Sequence, residues 1–76
     1  MVDWRQHIER DPAVMLGKPV FRGTRITVEF VLERMAQGAT AQELVENYEG
    51  LTPDHLLAAF AYAASAVSHE GLVALA

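Results

Sequence analysis

Seventy-six residues with ten acidic and six basic side chains, for a net charge of −4, set one domain with room for only a small core. A domain near this size buries only about 60% of the surface its unfolded chain exposes, so its own core stabilises it thinly. The absence of cysteine excludes disulfides and the common structural zinc sites, which leaves self-association or a partner protein as the supplement.

Met1 to His7 places charges where a signal peptide needs its apolar core. The charge-free run Leu56 to Ser68 falls short of the about 20 residues a membrane span requires. Both point to a soluble, cytoplasmic chain, in keeping with a cysteine-free composition. All the basic residues lie at or before Arg34, and from Gln37 onward there is no Lys or Arg. That asymmetry matters for any anionic partner.

In chain order, the expected organisation is one domain over 1–76: a β-element over 1–27, a three-helix bundle over 28–68 and an apolar tail over 69–76. Asp11-Pro12 and Gly17-Lys18-Pro19 are turn signals. Two β-rich runs, Val20 to Arg22 and Thr24 to Val28, flank Gly23, which predicts a tight hairpin or a sharp strand-to-strand bend. Gly23 there supplies a positive φ. Pro19 lacks an amide donor and so belongs at a strand start or an edge. Alternation sets Phe21 on the face opposite Val20 and Arg22.

At Thr27 the period changes to helical. Thr27 is the N-cap, Val28, Val31, Leu32 and Met35 form one face, and Gly38 ends the helix. Thr40 and Glu43 then form a capping box, with Leu44, Val45 and Tyr48 as the apolar face of a short second helix stopped by Gly50. The third helix opens on Thr52 as N-cap, Pro53 at the first helical position and Asp54 at the positive end, with Leu51 and Leu56 spaced as a hydrophobic staple. Leu56, Phe60, Ala63, Ala64 and Val67 are expected to share one face. The tail from His69 to Ala76 reads as a short extra helix or a dimer arm. The fold class is therefore mainly α with a short N-terminal β-hairpin, a tri-helical arrangement of helix-turn-helix type.

That outline has two readings, a DNA-binding motif or a bundle that merely packs. A recognition helix reads bases with Arg, Lys, Asn or Gln, and the first turn from Pro53 to Leu56 has none. The hairpin is the better anion-facing element, because Lys18, Arg22 and Arg25 fall close together around Phe21. The ordinary alternative is that these cations keep an edge strand soluble, or that Arg25 pairs with Glu29 or Glu33. Gly17-Lys18 is not a phosphate loop, because Pro19 follows the Lys and no Gly stands at the required earlier position. His7, His55 and His69 lack metal-ligand spacing, and no nucleophile–base constellation stands out. A non-enzymatic protein with neither metal nor cofactor is expected.

The stretch Gly17-Lys18-Pro19-Val20-Phe21-Arg22-Gly23-Thr24-Arg25-Ile26-Thr27-Val28 closely resembles the signature of the bacterial family called domain of unknown function 433 (DUF433). The pattern continues through Gly38, Thr40, Glu43-Leu44, Tyr48 and Leu51-Thr52 to Ala61-Tyr62-Ala63, so the resemblance covers roughly Ile8 to Ala64. It implies a homeodomain-like or winged-helix-like fold and an antitoxin-like partner of a PIN-like toxin nuclease, sometimes with autoregulatory DNA binding. Lys18, Arg22, Gly23, Thr24 and Arg25 match the motif without an established role. The departure is the second half free of basic residues, which argues against DNA contact by the third helix. The expected function is a homodimeric antitoxin-like module that neutralises such a nuclease, with Arg22 and Arg25 as blockers of its carboxylate- and metal-bearing site. Stand-alone DNA-binding regulation and plain dimerisation are the alternatives.

Overall fold

In the computed structural model, residues 2–75 are described, with side chains through Ser68. A 3-10 turn over Trp4–Gln6 leads into strand β1 (Ile8–Glu9), a second 3-10 turn covers Met15–Gly17, and strand β2 is Val20–Phe21. Helices α1 (Val28–Ala36), α2 (Ala41–Asn47) and α3 (Pro53–Leu75) follow. The result is a mainly helical small domain with a two-stranded antiparallel sheet near its N-terminus.

The sheet differs from the expected hairpin in its partner. β2 pairs with β1, Ile8 opposite Phe21 and Glu9 opposite Val20. The run after Gly23 joins β2 only through an isolated bridge between Val20 and Thr27. Thr27 explains the difference: its Oγ1 accepts from the Phe30 amide at 3.0 Å, so the chain is already capping α1 where a second strand would have to continue. What remains is a sharp bend, closed by Phe21 N–H donating to the Ile26 carbonyl at 3.0 Å and Val28 N–H to the Pro19 carbonyl at 3.0 Å. Thr24 braces it, its hydroxyl donating to the Phe21 carbonyl at 2.8 Å and accepting from the Ile26 amide at 3.0 Å. The expected alternation also gives way. Val20 and Phe21 are both buried, so a strand of two residues is covered on both faces.

The core gathers Ile8 and Phe21 from the sheet, Val28 and Val31 from α1, and Leu44 from α2. Leu51, Leu56, Ala58 and Ala59 complete it from the start of α3 and its approach. The faces expected for α1 and α2 hold: Val28, Val31 and Leu44 are buried, and Leu32, Met35, Val45 and Tyr48 are half-buried against them. At Thr40 the capping box is modified. The Thr40 oxygen accepts from the Glu43 amide at 3.1 Å, but Glu43 Oε1 accepts from the Thr40 hydroxyl at 3.1 Å instead of from a backbone N–H.

For α3 the expected face is out of phase. His55, Leu56, Ala58 and Ala59 are buried and Tyr62 and Ala63 half-buried, whereas Phe60, Ala64 and Val67 face outward. Apolar residues surround this helix on all sides, so periodicity cannot choose the side that meets the core. The tail is no separate helix: the backbone of α3 continues unbroken to Leu75, while the side chains from His69 on lie outside the described residues. At 23 residues α3 is about 34 Å long. The molecule as a whole measures 42 × 30 × 23 Å.

Candidate functional site

The bend between β2 and α1 carries the basic motif, and the fold separates its members. Lys18 stands at the base, where its Nζ meets Glu29 Oε1 at 3.3 Å. Arg22 and Arg25 stand at the tip on either side of Gly23, whose φ of +84° lets the chain reverse. Lys18 is thus paired from α1, the helix that the ordinary alternative had offering Glu29 or Glu33 to Arg25.

Arg22 is committed to the fold. Its Nε donates to the Gln6 carbonyl at 3.2 Å and its Nη2 to the Arg5 carbonyl at 3.2 Å, while Nη1 meets Glu9 Oε2 at 3.3 Å. The Arg22 amide also donates to the His7 carbonyl at 2.7 Å. One guanidinium therefore ties the N-terminal 3-10 turn and β1 to the bend, satisfying carbonyls that the short turn leaves open. Arg25 is exposed and, among the described residues, has neither an ion pair nor a side-chain hydrogen bond. The other cations have contacts: Arg5 with Asp3 at 3.8 Å and over the Trp4 ring at 4.6 Å, Arg10 with the Tyr62 hydroxyl at 2.8 Å, Arg34 with Gln37 at 3.2 Å. The positive charge available to an incoming anion at the bend is Arg25.

Gly17, Pro19, Gly38, Thr40 and Thr52 prove to be backbone and capping positions. Gly17 is half-buried at φ +80°, Pro19 supplies the carbonyl that binds Val28, and Gly38 at φ +104° follows the C-cap of α1. Thr52 accepts from the His55 amide at 3.2 Å, and in return the Thr52 amide donates to His55 Nδ1 at 3.2 Å. The His55 ring is buried beside Phe21, with centroids 5.2 Å apart, and beside His7 at 6.0 Å. Desolvation, and next the neighbouring His7, lower its pKa, partly countered by the Gly50 backbone and Asp54. The first turn of α3 thus shows an anion only Asp54 and a buried neutral ring.

The residues not anticipated are Met15 and Leu16. Both hold left-handed backbone, at φ 49° and 59°, and Leu16 is 93% exposed. Each such residue costs about 1 kcal/mol or more. The signal in the sequence was an apolar pair between two turn markers, Asp11-Pro12 and Gly17. Among the described residues no group of three or more His, Asp or Glu could hold a metal ion. Nor is any helix there long and apolar enough to cross a membrane.

A family model described as "Protein of unknown function (DUF433)" matches residues 8–63. The crystal structure of a DUF433 member protein from Anabaena variabilis ATCC 29413, at 2.00 Å resolution, is similar with a TM-score of 0.69 and 42% sequence identity. The match covers 72% of this chain and 55% of that one, so the chain spans little more than half the length of its solved relative. No curated protein matches the sequence.

Proposed function

The chain belongs to the DUF433 family, and on that premise we propose that it is a non-enzymatic, antitoxin-like module that binds and neutralises a PIN-like toxin nuclease. The observation that carries the reading is Arg25: an exposed guanidinium without an ion-pair partner among the described residues, on a bend fixed by Thr24, Gly23 and Arg22. Nuclease sites of this class cluster carboxylates around a divalent metal. A planar fork donor held on a rigid bend is suited to occupy those carboxylates and exclude substrate. Arg22, expected to share this role, instead supports the bend from behind. DNA contact through α3 finds little support, since that helix offers Asp54 and no Lys or Arg.

Co-expression with any PIN-like nuclease found encoded beside this chain tests the reading. Arg25→Ala should restore nuclease toxicity, since breaking a desolvated charge pair costs about 2–5 kcal/mol, roughly thirty- to several-thousand-fold in affinity. The variant should remain folded. If Arg25→Ala silences the nuclease as well as the natural chain does, or if no nuclease co-purifies, the reading fails.

A further inference from the structure

We propose that the outward face of α3 is a two-fold, antiparallel contact with a second copy of this chain, centred between Phe60 and Ala61. The contact is independent of the nuclease reading. Leu57 is 53% exposed, Phe60 47% and Val67 62%, and with Ala61 and Ala64 they form one stripe at helical spacing along α3. Hollows flank the stripe on both sides: Val2 and Trp4 border one, and Ala41 and Val45 of α2 border the other. From His55 to Ser68 the helix has no Asp, Glu, Lys or Arg. A helix apolar all round is a buried helix, and this one is buried on one side only.

The pattern is self-complementary. With the axis between Phe60 and Ala61, an antiparallel copy sets Leu57 opposite the partner subunit's Ala64 and Phe60 opposite the partner subunit's Ala61. The two large side chains nearest the axis each meet a small one, so the patch is self-complementary as an isologous contact must be, while Val67 lies at its edge, opposite the partner subunit's Asp54. Charge agrees at one rim: beside Trp4 stand one residue of each sign, Asp3 and Arg5, balanced for a copy of itself, while the hollow on the α2 side carries the single acid Glu46. Area sets the strength. About this axis α3 faces its copy over residues 53–68, about 24 Å, and with the hollows beside it a strip about 20 Å wide covers roughly 480 Å² per partner, the low end of interface size, where contacts exchange.

Sedimentation equilibrium of the full chain at about 10–100 μM (the range in which a moderate contact of this size is populated) should give twice the 8.4 kDa chain mass. Leu57→Glu, with Ala64→Arg as a second variant should the first not fold, should raise the dissociation constant about a hundredfold or more while circular dichroism is unchanged. The natural chain has no cysteine, so single introduced thiols report the register. Ala61→Cys, next to the axis, should cross-link under mild oxidation. Val67→Cys should not, because antiparallel copies hold that position about 20 Å from itself, and a disulfide needs its Cα atoms within about 7 Å. A monomer throughout this range, a dimer indifferent to Leu57→Glu and Ala64→Arg, or equal cross-linking of both thiols would overturn the proposal.

Discussion

The His55 ring and the Thr52 backbone cap each other: Thr52 N–H donates to Nδ1 at 3.2 Å, and His55 N–H donates to the Thr52 hydroxyl oxygen at 3.2 Å. It is a capping box with imidazole in the place Glu or Gln usually takes. Nδ1 as acceptor puts the single proton on Nε2 and keeps the ring neutral. Protonating Nδ1 would remove the acceptor and set a charge at the positive end of α3, beside His7.

Acid should therefore loosen the start of α3. Burial holds the pKa of His55 below its ordinary value of about 6.5, so the unfolded chain binds that proton more readily. The stability this contributes is complete above about pH 6.5 and is lost as pH falls through 6.5 towards the folded value, where the loss levels off. Urea denaturation at pH 7.5, 6.5 and 5.5 checks it. His55→Gln, which can still accept from Thr52, should flatten this pH dependence; an unchanged slope counts against it.

Arg22 and Arg25 should part company in stability measurements. Arg22→Ala removes three guanidinium contacts that are half-exposed, which should cost about 1 kcal/mol and speed amide exchange in residues 4–9. Arg25→Ala should stay within about 0.5 kcal/mol of the natural chain. Equal losses for the two would mean that Arg25 has a structural partner after all.

Phe21 is fully buried and touches both His55 and the core. Phe21→Ala should cost about 3–5 kcal/mol, a large share of what a domain this small has, and lower the melting temperature steeply. A loss below 1 kcal/mol would show that the core around β2 collapses freely.

Gly50, at φ +95°, sits against the bend: a Cβ there would meet Thr24 Cγ2 at 3.2 Å. At Gly23, φ +84°, the same atom would meet open space. Both Ala variants incur the left-handed strain, about 1–2 kcal/mol. Gly50→Ala should cost more, because Thr24 must yield while keeping its bonds to Phe21 and Ile26. Thermal melts of the pair decide the order.

Much of this architecture is local, and local chemistry is legible in a sequence. Thr27, Thr40 and Thr52 announce where helices begin because a hydroxyl satisfies a nearby amide wherever the chain turns helical. Gly23, Gly38 and Gly50 announce reversals because only glycine reaches positive φ without strain. The faces of α1 and α2 followed from periodicity, since polar residues alternate with the apolar ones and leave one side to bury. Tertiary structure decided the rest. The partner of β2 is Ile8–Glu9, a pairing that depends on where the N-terminal turn is anchored and not on the residues of β2. Arg22 and Arg25 look alike three positions apart, yet one is spent on distant carbonyls and the other has no ion pair among the described residues, a difference set by what the fold brings near each. On α3 the staple spacing from Leu51 marks Leu56, but beyond it, on a helix apolar all round, nothing in the chain's own periodicity could choose Ala59 and Tyr62 over Phe60 and Ala64. The core took Leu56 because sheet and helices meet on that side, and so left Leu57, Phe60 and Val67 facing outward.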